Sequence, residues 1–322
     1  MMRKMDLKRF TAPALALIMV LALSGCGSSA SSSDESSADT SADADAADDD
    51  STEVRTIVIA TGGTGPEPYV YVDENDNLTG YDIELLRLVF EQLPQYEIEF
   101  EITEFASIFT GMDSDLYQMG VNHLGYTAER ASKYLISDCY DVSIHAIAVR
   151  TDYDEIETVY DFAGHSTEIT SGSYNETAFL NYNEENPDSQ IILTYVDDAN
   201  NMPLDVANGV IDFEYFTKTT LVAQIEEYGL TEDLKLIDVP LEDSSSISTT
   251  LDGIFYYAAQ SETQLLADFN EAFEALLADG SVQALREEWG LTDDETDGEA
   301  LLTQDYVDYA AEWIESDLAA QE

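Results

Sequence analysis

Basic side chains are scarce in this chain. Its 322 residues include 12 Lys plus Arg against 67 Asp plus Glu, for a formal net charge of −55. A surface this negative repels nucleic acid and anionic lipid, and excludes both as natural partners. It favours solubility and says nothing about fold. Cysteine is almost absent, with only Cys26 and Cys139, so no disulfide framework can hold a small core together. The three histidines, His123, His145 and His165, show no ligand spacing with one another or with a cysteine. Neither a metal centre nor a cofactor is expected. The apolar run at residues 14–23 is too short to cross a membrane as a helix.

That run nevertheless has a purpose. Arg3, Lys4, Lys8 and Arg9 precede it as a basic n-region, and Leu23-Ser24-Gly25-Cys26 follows it. The order resembles a bacterial lipoprotein signal peptide with its lipobox, which implies cleavage after residue 25 and acylation of Cys26. Residues 1–25 are thus read as signal peptide, and the mature protein as extracytoplasmic and lipid-anchored to the bacterial cell membrane. Only Cys139 would then remain as a thiol. Residues 26–52, almost entirely Ser, Ala, Asp, Thr and Glu, cannot offset the entropy of ordering and read as a disordered tether. A coil of about 25 residues has a mean reach near 25–30 Å.

The remaining length is ample for two α/β lobes. Residues 55–60 form a β-branched run that predicts a first strand. Residues 69–72 predict a second, and 73–77 a polar turn. Asp73, Asn75, Asn77 and Glu84 fall at positions 1, 3, 5 and 12 of a calcium-loop pattern, but Leu78 stands where the sharp turn needs Gly. A hairpin turn is the better reading. Leu85, Leu86, Val89, Phe90 and Leu93 share one helical face, and that helix stops before Pro94. Thr127 is a good N-cap, which puts Arg130 in the first turn of a short helix. A cation there opposes the helix dipole. Further strands are expected at 166–170, 210–216 and 253–258. Helices are expected at 202–208 and 219–228, from a Ser261/Gln264 capping box, from Ser281, and over 303–318. The last carries Tyr306, Tyr309, Trp313 and Ile314 at helical spacing, and predicts a helix docked on a lobe.

Several blocks in order resemble one family. Gly62-Gly63-Thr64-Gly65-Pro66-Glu67-Pro68-Tyr69, the segment 73–85 with its Gly80-Tyr81-Asp82, Glu104-Phe105 through Arg130, and the 134–140 segment are similar to family 3 extracellular solute-binding proteins. These are the receptors of polar amino-acid ABC importers, and the match runs on to Trp289. The resemblance implies a two-lobed periplasmic-binding-protein-like (type II) α/β fold with two hinge strands. Lobe 1 would take residues 53–145 and 243–290, lobe 2 residues 146–242, and 291–322 would be an acidic extension. It also implies a non-enzymatic monomer that captures an amino acid or related carboxylate by hinge closure and hands it to an ABC permease.

By the same resemblance Arg130 pairs with the solute carboxylate, Gly125 and Thr127 complete the cradle, Ser173 and Tyr174 face it from a lobe-2 helix start, and Phe105 is a wall. Three positions depart from the family. Pro66 replaces a stacking aromatic, and His123 stands where a small hydroxyl is usual. Thr217 aligns with the acid that binds the solute α-amino group, so either Glu214 or another acid takes that role or the solute is not a standard α-amino acid. An enzyme on the same fold, dehydratase-like or lytic-transglycosylase-like with His123 or Glu104 as acid or base, is one alternative. A sensor is another.

Overall fold

A computed structural model of the protein describes residues 54–63, 67–196, 199–239, 251–291 and 301–321. The segments expected to be signal peptide and tether, with Cys26, and Pro66 lie outside the described residues. Strand β1 (Arg55–Thr61) buries Ile57, Ile59 and Ala60. A hairpin of β2 (Tyr71–Val72) and β3 (Leu78–Thr79) follows. The Asp73 carboxylate holds its turn, accepting from the backbone N–H groups of Asn75 and Asn77 at 2.8 Å each. These side chains therefore build a turn.

Helix α1 (Tyr81–Phe90) lays Ile83, Leu85, Leu86, Val89 and Phe90 onto the sheet. β4 (Tyr96–Ile102) comes next, then α2 (Phe105–Asp113), β5 (Met119–Gly125) and α3 (Ala128–Lys133). Two short strands, β6 (Leu135–Ile136) and β7 (Asp141–Val142), complete this half. Among the described residues β4 is an edge strand that pairs only with β1, in parallel. Its Tyr96, Ile98 and Phe100 are half-buried while Glu97, Glu99 and Glu101 are exposed, the two-residue period of a one-sided strand.

The chain then builds a second sheet. β8 (His145–Arg150) is its middle strand. β9 (Ser166–Thr170), α4 (Tyr174–Glu185), β10 (Ile192–Val196) and α5 (Met202–Ala207) follow. β11 (Phe213–Thr217), α6 (Lys218–Glu227) and β12 (Leu234–Asp238) close this lobe. β11 and β12 flank β8 antiparallel, and β9 pairs β10 in parallel. Both faces of β8 are covered. Ile147 and Val149 join one core with Phe162, Phe179, Phe213 and Tyr215. Ala146 and Ala148 join another beneath α5 and α6, with Val206, Leu221 and Ile225. The expected strand at 210–216 begins at Phe213, because Gly209 turns the chain at φ 69° and leaves Val210 exposed.

The return segment re-enters the first sheet as β13 (Gly253–Ala258), antiparallel to β5, β6 and β7. The first sheet therefore runs β4-β1-β5-β13-β6, drawn from both ends of the chain. The Ser143 N–H donates to the Asp252 carbonyl at 2.8 Å, where the outgoing and returning chain lie side by side. Helix α7 (Thr263–Ala278) starts after Glu262, without a side-chain cap. The Ser261/Gln264 capping box does not form, because Gln264 donates forward to Asp268 at 2.6 Å. Helix α8 (Ser281–Glu288) contributes Arg286, which forms a buried ion pair with Asp141 of β7. Helix α9 (Gln304–Gln321) docks on this lobe through buried Val307 and Ala310, with Leu302 just before it. The Tyr126 hydroxyl donates to Asp317 at 2.5 Å, and Trp313 meets the Tyr126 ring edge-on at 5.2 Å.

Candidate functional site

The two lobes face each other across a cavity of about 820 Å³. Arg130 dominates the first-lobe side. The Thr127 hydroxyl accepts the Arg130 backbone N–H at 3.2 Å, the N-cap that fixes where α3 starts. The side chain then runs back into the cleft and is buried. Its Nη1 donates to the Gly125 carbonyl at 2.9 Å, and its Nη2 crosses to the Gly172 carbonyl of the second lobe at 2.7 Å. The guanidinium lies 4.9 Å from the centre of the Phe109 ring and 5.8 Å from that of Tyr257. Burial lowers the Arg130 pKa from its ordinary value, and nearby Tyr257 and Glu129 oppose the shift. No carboxylate among the described residues forms an ion pair with it. A buried guanidinium held only by carbonyls and rings keeps its planar fork available for an anion.

Gly125 has a steric reason to be glycine. A Cβ there would come within 2.9 Å of the Tyr174 ring, which reaches across from the start of α4. Ser173 caps α4, its hydroxyl accepting the Glu176 N–H at 3.1 Å, so the helix directs its first backbone donors toward the cleft. Phe105, at the start of α2, is a wall of the same cavity.

His123 is held with care. Its backbone, at φ 51°, donates to the buried Asp82 carboxylate at 2.8 Å, and its Nδ1 lies 3.4 Å from the other Asp82 oxygen. Its ring stacks on Tyr69 at 3.6 Å. The Tyr140 hydroxyl also donates to Asp82, at 2.7 Å. Burial raises the Asp82 pKa, while His123 and Tyr140 pull it down. His123 thus fills the cavity wall as a packed, hydrogen-bonded side chain.

Of the sequence-predicted residues, Phe105, His123, Gly125, Arg130, Ser173, Tyr174 and Thr217 line the cavity. Thr127 does not, since its hydroxyl serves the helix cap behind Arg130. The cavity also brings in residues that spacing did not single out. His145 of β8 stacks on Tyr215 at 4.8 Å, and burial lowers its pKa to about 4, leaving it neutral. Asn175, one position after Tyr174, and Gln224 of α6 are cavity walls too. Glu214, weighed earlier only as a substitute acid, is buried in the lining of the same cavity.

Residues 57–292 match the bacterial extracellular solute-binding proteins, family 3. The chain belongs to that family. Among curated proteins it is similar to the probable amino-acid-binding protein YxeM of Bacillus subtilis, 26% identical over 224 residues, covering 69% of this chain and 79% of that protein. The L-cystine-binding protein TcyA of the same organism is 24% identical, covering 69% and 77%. A solved structure from work on glutathione import via GshT and the cystine ABC importer TcyBC of Streptococcus mutans is 32% identical. It superposes with a TM-score of 0.67, covering 73% of this chain and 95% of that one. The fold is the two-lobed type II binding-protein fold, and the relatives are ABC-transporter binding proteins for amino acids and cystine.

Proposed function

We propose that this family member is the solute-capturing lipoprotein of an ABC importer, and that its solute is an amino acid or a related small carboxylate. The observation that carries this reading is Arg130, a buried cation in the inter-lobe cavity with no carboxylate partner among the described residues. A solute carboxylate supplies the missing anion. Once seated, it bridges Arg130 and the start of α4, stabilising the closed lobes that a permease recognises. The YxeM and TcyA names support an amino-acid-sized or cystine-sized solute. Anchoring through Cys26, a monomeric state and delivery outside the cytoplasm belong to the same proposal.

The function is binding without chemistry. His123 has Asp82 behind it, as a general base would, yet its ring is packed on Tyr69, and the relatives named above are binding proteins. A thermal-shift screen of amino acids, desamino acids, hydroxy acids and unrelated neutral solutes tests the reading. A solute that binds only the folded form adds about 2.7 kcal/mol at a hundredfold excess over its Kd. Stabilisation by carboxylates alone supports the reading; stabilisation only by solutes without a carboxylate refutes it.

A further inference from the structure

The second-lobe floor of the cavity has a chemistry of its own. β11 pairs with β8 so that Glu214 lies opposite Ala148 and Phe216 opposite Ala146. Strand alternation therefore puts Glu214 on the same face as Phe216, over the small alanines and beneath α5 and α6, where the second-lobe core is otherwise apolar. Glu214 is 2% exposed, and its Oε2 has no hydrogen-bond partner among the described residues. Two further acceptors lining the same cavity share that condition. Gln224 Oε1 is buried and unpartnered, and so is Asn175 Oδ1, whose amide nitrogen donates to the Tyr215 carbonyl at 2.9 Å. Leaving a buried carboxyl oxygen and two amide oxygens without hydrogen-bond donors is unfavourable to the folded protein. An arrangement that costly points to a ligand.

Resting on the reading of Arg130 as the carboxylate partner, we propose that Glu214, Gln224 and Asn175 form a subsite for a protonated nitrogen of the solute, an ammonium or a guanidinium. Three unpartnered acceptors lining one cavity suit a group that carries several hydrogens. An ammonium has three and a guanidinium five, whereas a hydroxyl has one. The position is distinct from Thr217, whose hydroxyl is already bonded to Ser143 at 2.9 Å.

The surrounding charges favour a cation. Glu168 of β9 and Asp205 of α5 are acids on the elements packed around β11. Lys218 of α6 pairs with Asp238 at 2.8 Å. Arg150 of β8 donates to the Val206 and Ile211 carbonyls and lies 4.0 Å from Asp212. His145 is neutral, and Glu226 and Glu227 of α6 are exposed. Burial, and then the charge of Glu168, push the Glu214 pKa up to about 8, so the empty subsite holds a neutral acid at pH 7. An arriving cation ionises it, and the proton leaves to solvent.

Isothermal titration calorimetry on the purified protein with matched pairs tests this. L-arginine against L-citrulline exchanges a guanidinium for an uncharged ureido group. L-lysine against L-norleucine removes a side-chain ammonium, and each amino acid against its α-hydroxy analogue removes the α-ammonium. The arms distinguish a side-chain source of the nitrogen from the α-amino source. In at least one arm the charged member should bind about 30-fold more tightly or better. Titration in two buffers of different ionisation enthalpy at pH 7 should show release of about one proton, as linkage requires of a group whose pKa falls on binding. Glu214→Gln should erase both the preference and the proton release, and Gln224→Leu should weaken the charged member independently. Equal binding of charged and neutral members in every arm, or a preference that survives Glu214→Gln, overturns the subsite while leaving the carboxylate reading intact. Failure of every carboxylate to bind overturns the carboxylate reading and the subsite with it.

Discussion

The side-chain hydroxyls of Ser143 and Thr217 lie 2.9 Å apart, hydrogen-bonded to each other where the chain enters β8 and leaves β11. Thr217 therefore offers the cleft a hydroxyl already in use and no charge. Thr217→Asp would place a carboxylate at the position that the family resemblance aligns with the acid for the solute α-ammonium. We expect it to raise the affinity ratio of an α-amino acid over its α-hydroxy analogue by about tenfold or more, the low end for a close charge pair. Dissociation constants for one such pair, measured on wild type and variant, check it. An unchanged ratio would show that Thr217 lies off the path of the amino group.

Arg130→Ala should remove binding of any carboxylate the screen finds. Truncating one partner of a buried charge pair costs about 2–5 kcal/mol or more, which is some thirtyfold to several-thousandfold in Kd. Arg130→Lys should recover only part, because an ammonium lacks the two-pronged fork. Calorimetry on both variants decides the matter, and wild-type affinity in Arg130→Ala would end the carboxylate assignment.

Glu214 should make the empty protein less stable as pH rises. Its folded pKa, about 8, lies above its ordinary carboxyl value. The folded state therefore binds more protons than the unfolded state, and stability falls between those two values. The limiting slope for one group is about 1.4 kcal/mol per pH unit. Glu214→Gln removes that slope. Its melting temperature should match or exceed wild type near pH 5, with the gap widening toward pH 8. A gap that narrows as pH rises would mean that Glu214 is ionised and partnered in the folded protein.

Much of this architecture is legible in the residues. The expected strand at 253–258 is β13 residue for residue, because a dense apolar run there is bounded by Gly253 and the polar Gln260. Thr127 and Arg130 sit at the cap and first turn of α3 as the spacing predicts. Other features hide for physical reasons. β4 escapes notice because alternating glutamates make an edge strand look polar. The contribution of Glu214 cannot be read from periodicity, since both faces of β11 are buried and alternation does not say which face opens on a cavity. Asn175, Gln224 and His145 meet only through the packing of α4, α6 and β8, and no local pattern joins them.

Cys26→Ser tests the anchoring. The Leu-Ser-Gly-Cys order predicts that mature protein partitions into detergent, and that the variant is released as soluble protein or accumulates as precursor. Membrane retention of mature-sized Cys26→Ser protein would count against acylation.

The seat of α9 gives a stability test. Val307 is 2% exposed beneath that helix. Val307→Asp would bury an unpaired carboxylate, so the helix should undock and the Tyr126–Asp317 contact should open. Limited proteolysis should then cut within α9, and Trp313 fluorescence should shift to the red. Protease resistance equal to wild type would mean that the helix tolerates a charge at its seat.

The glutamates of β4 matter most when many copies crowd together. An open sheet edge is a template on which a second chain can add its own strand. Here any two copies meeting edge to edge would bring Glu97, Glu99 and Glu101 of each within reach of their counterparts. Like charges on facing strands sit only about 4.5–5.5 Å apart and oppose the pairing. The same alternation that disguises this strand in the sequence thus disfavours edge-to-edge pairing between neighbouring molecules.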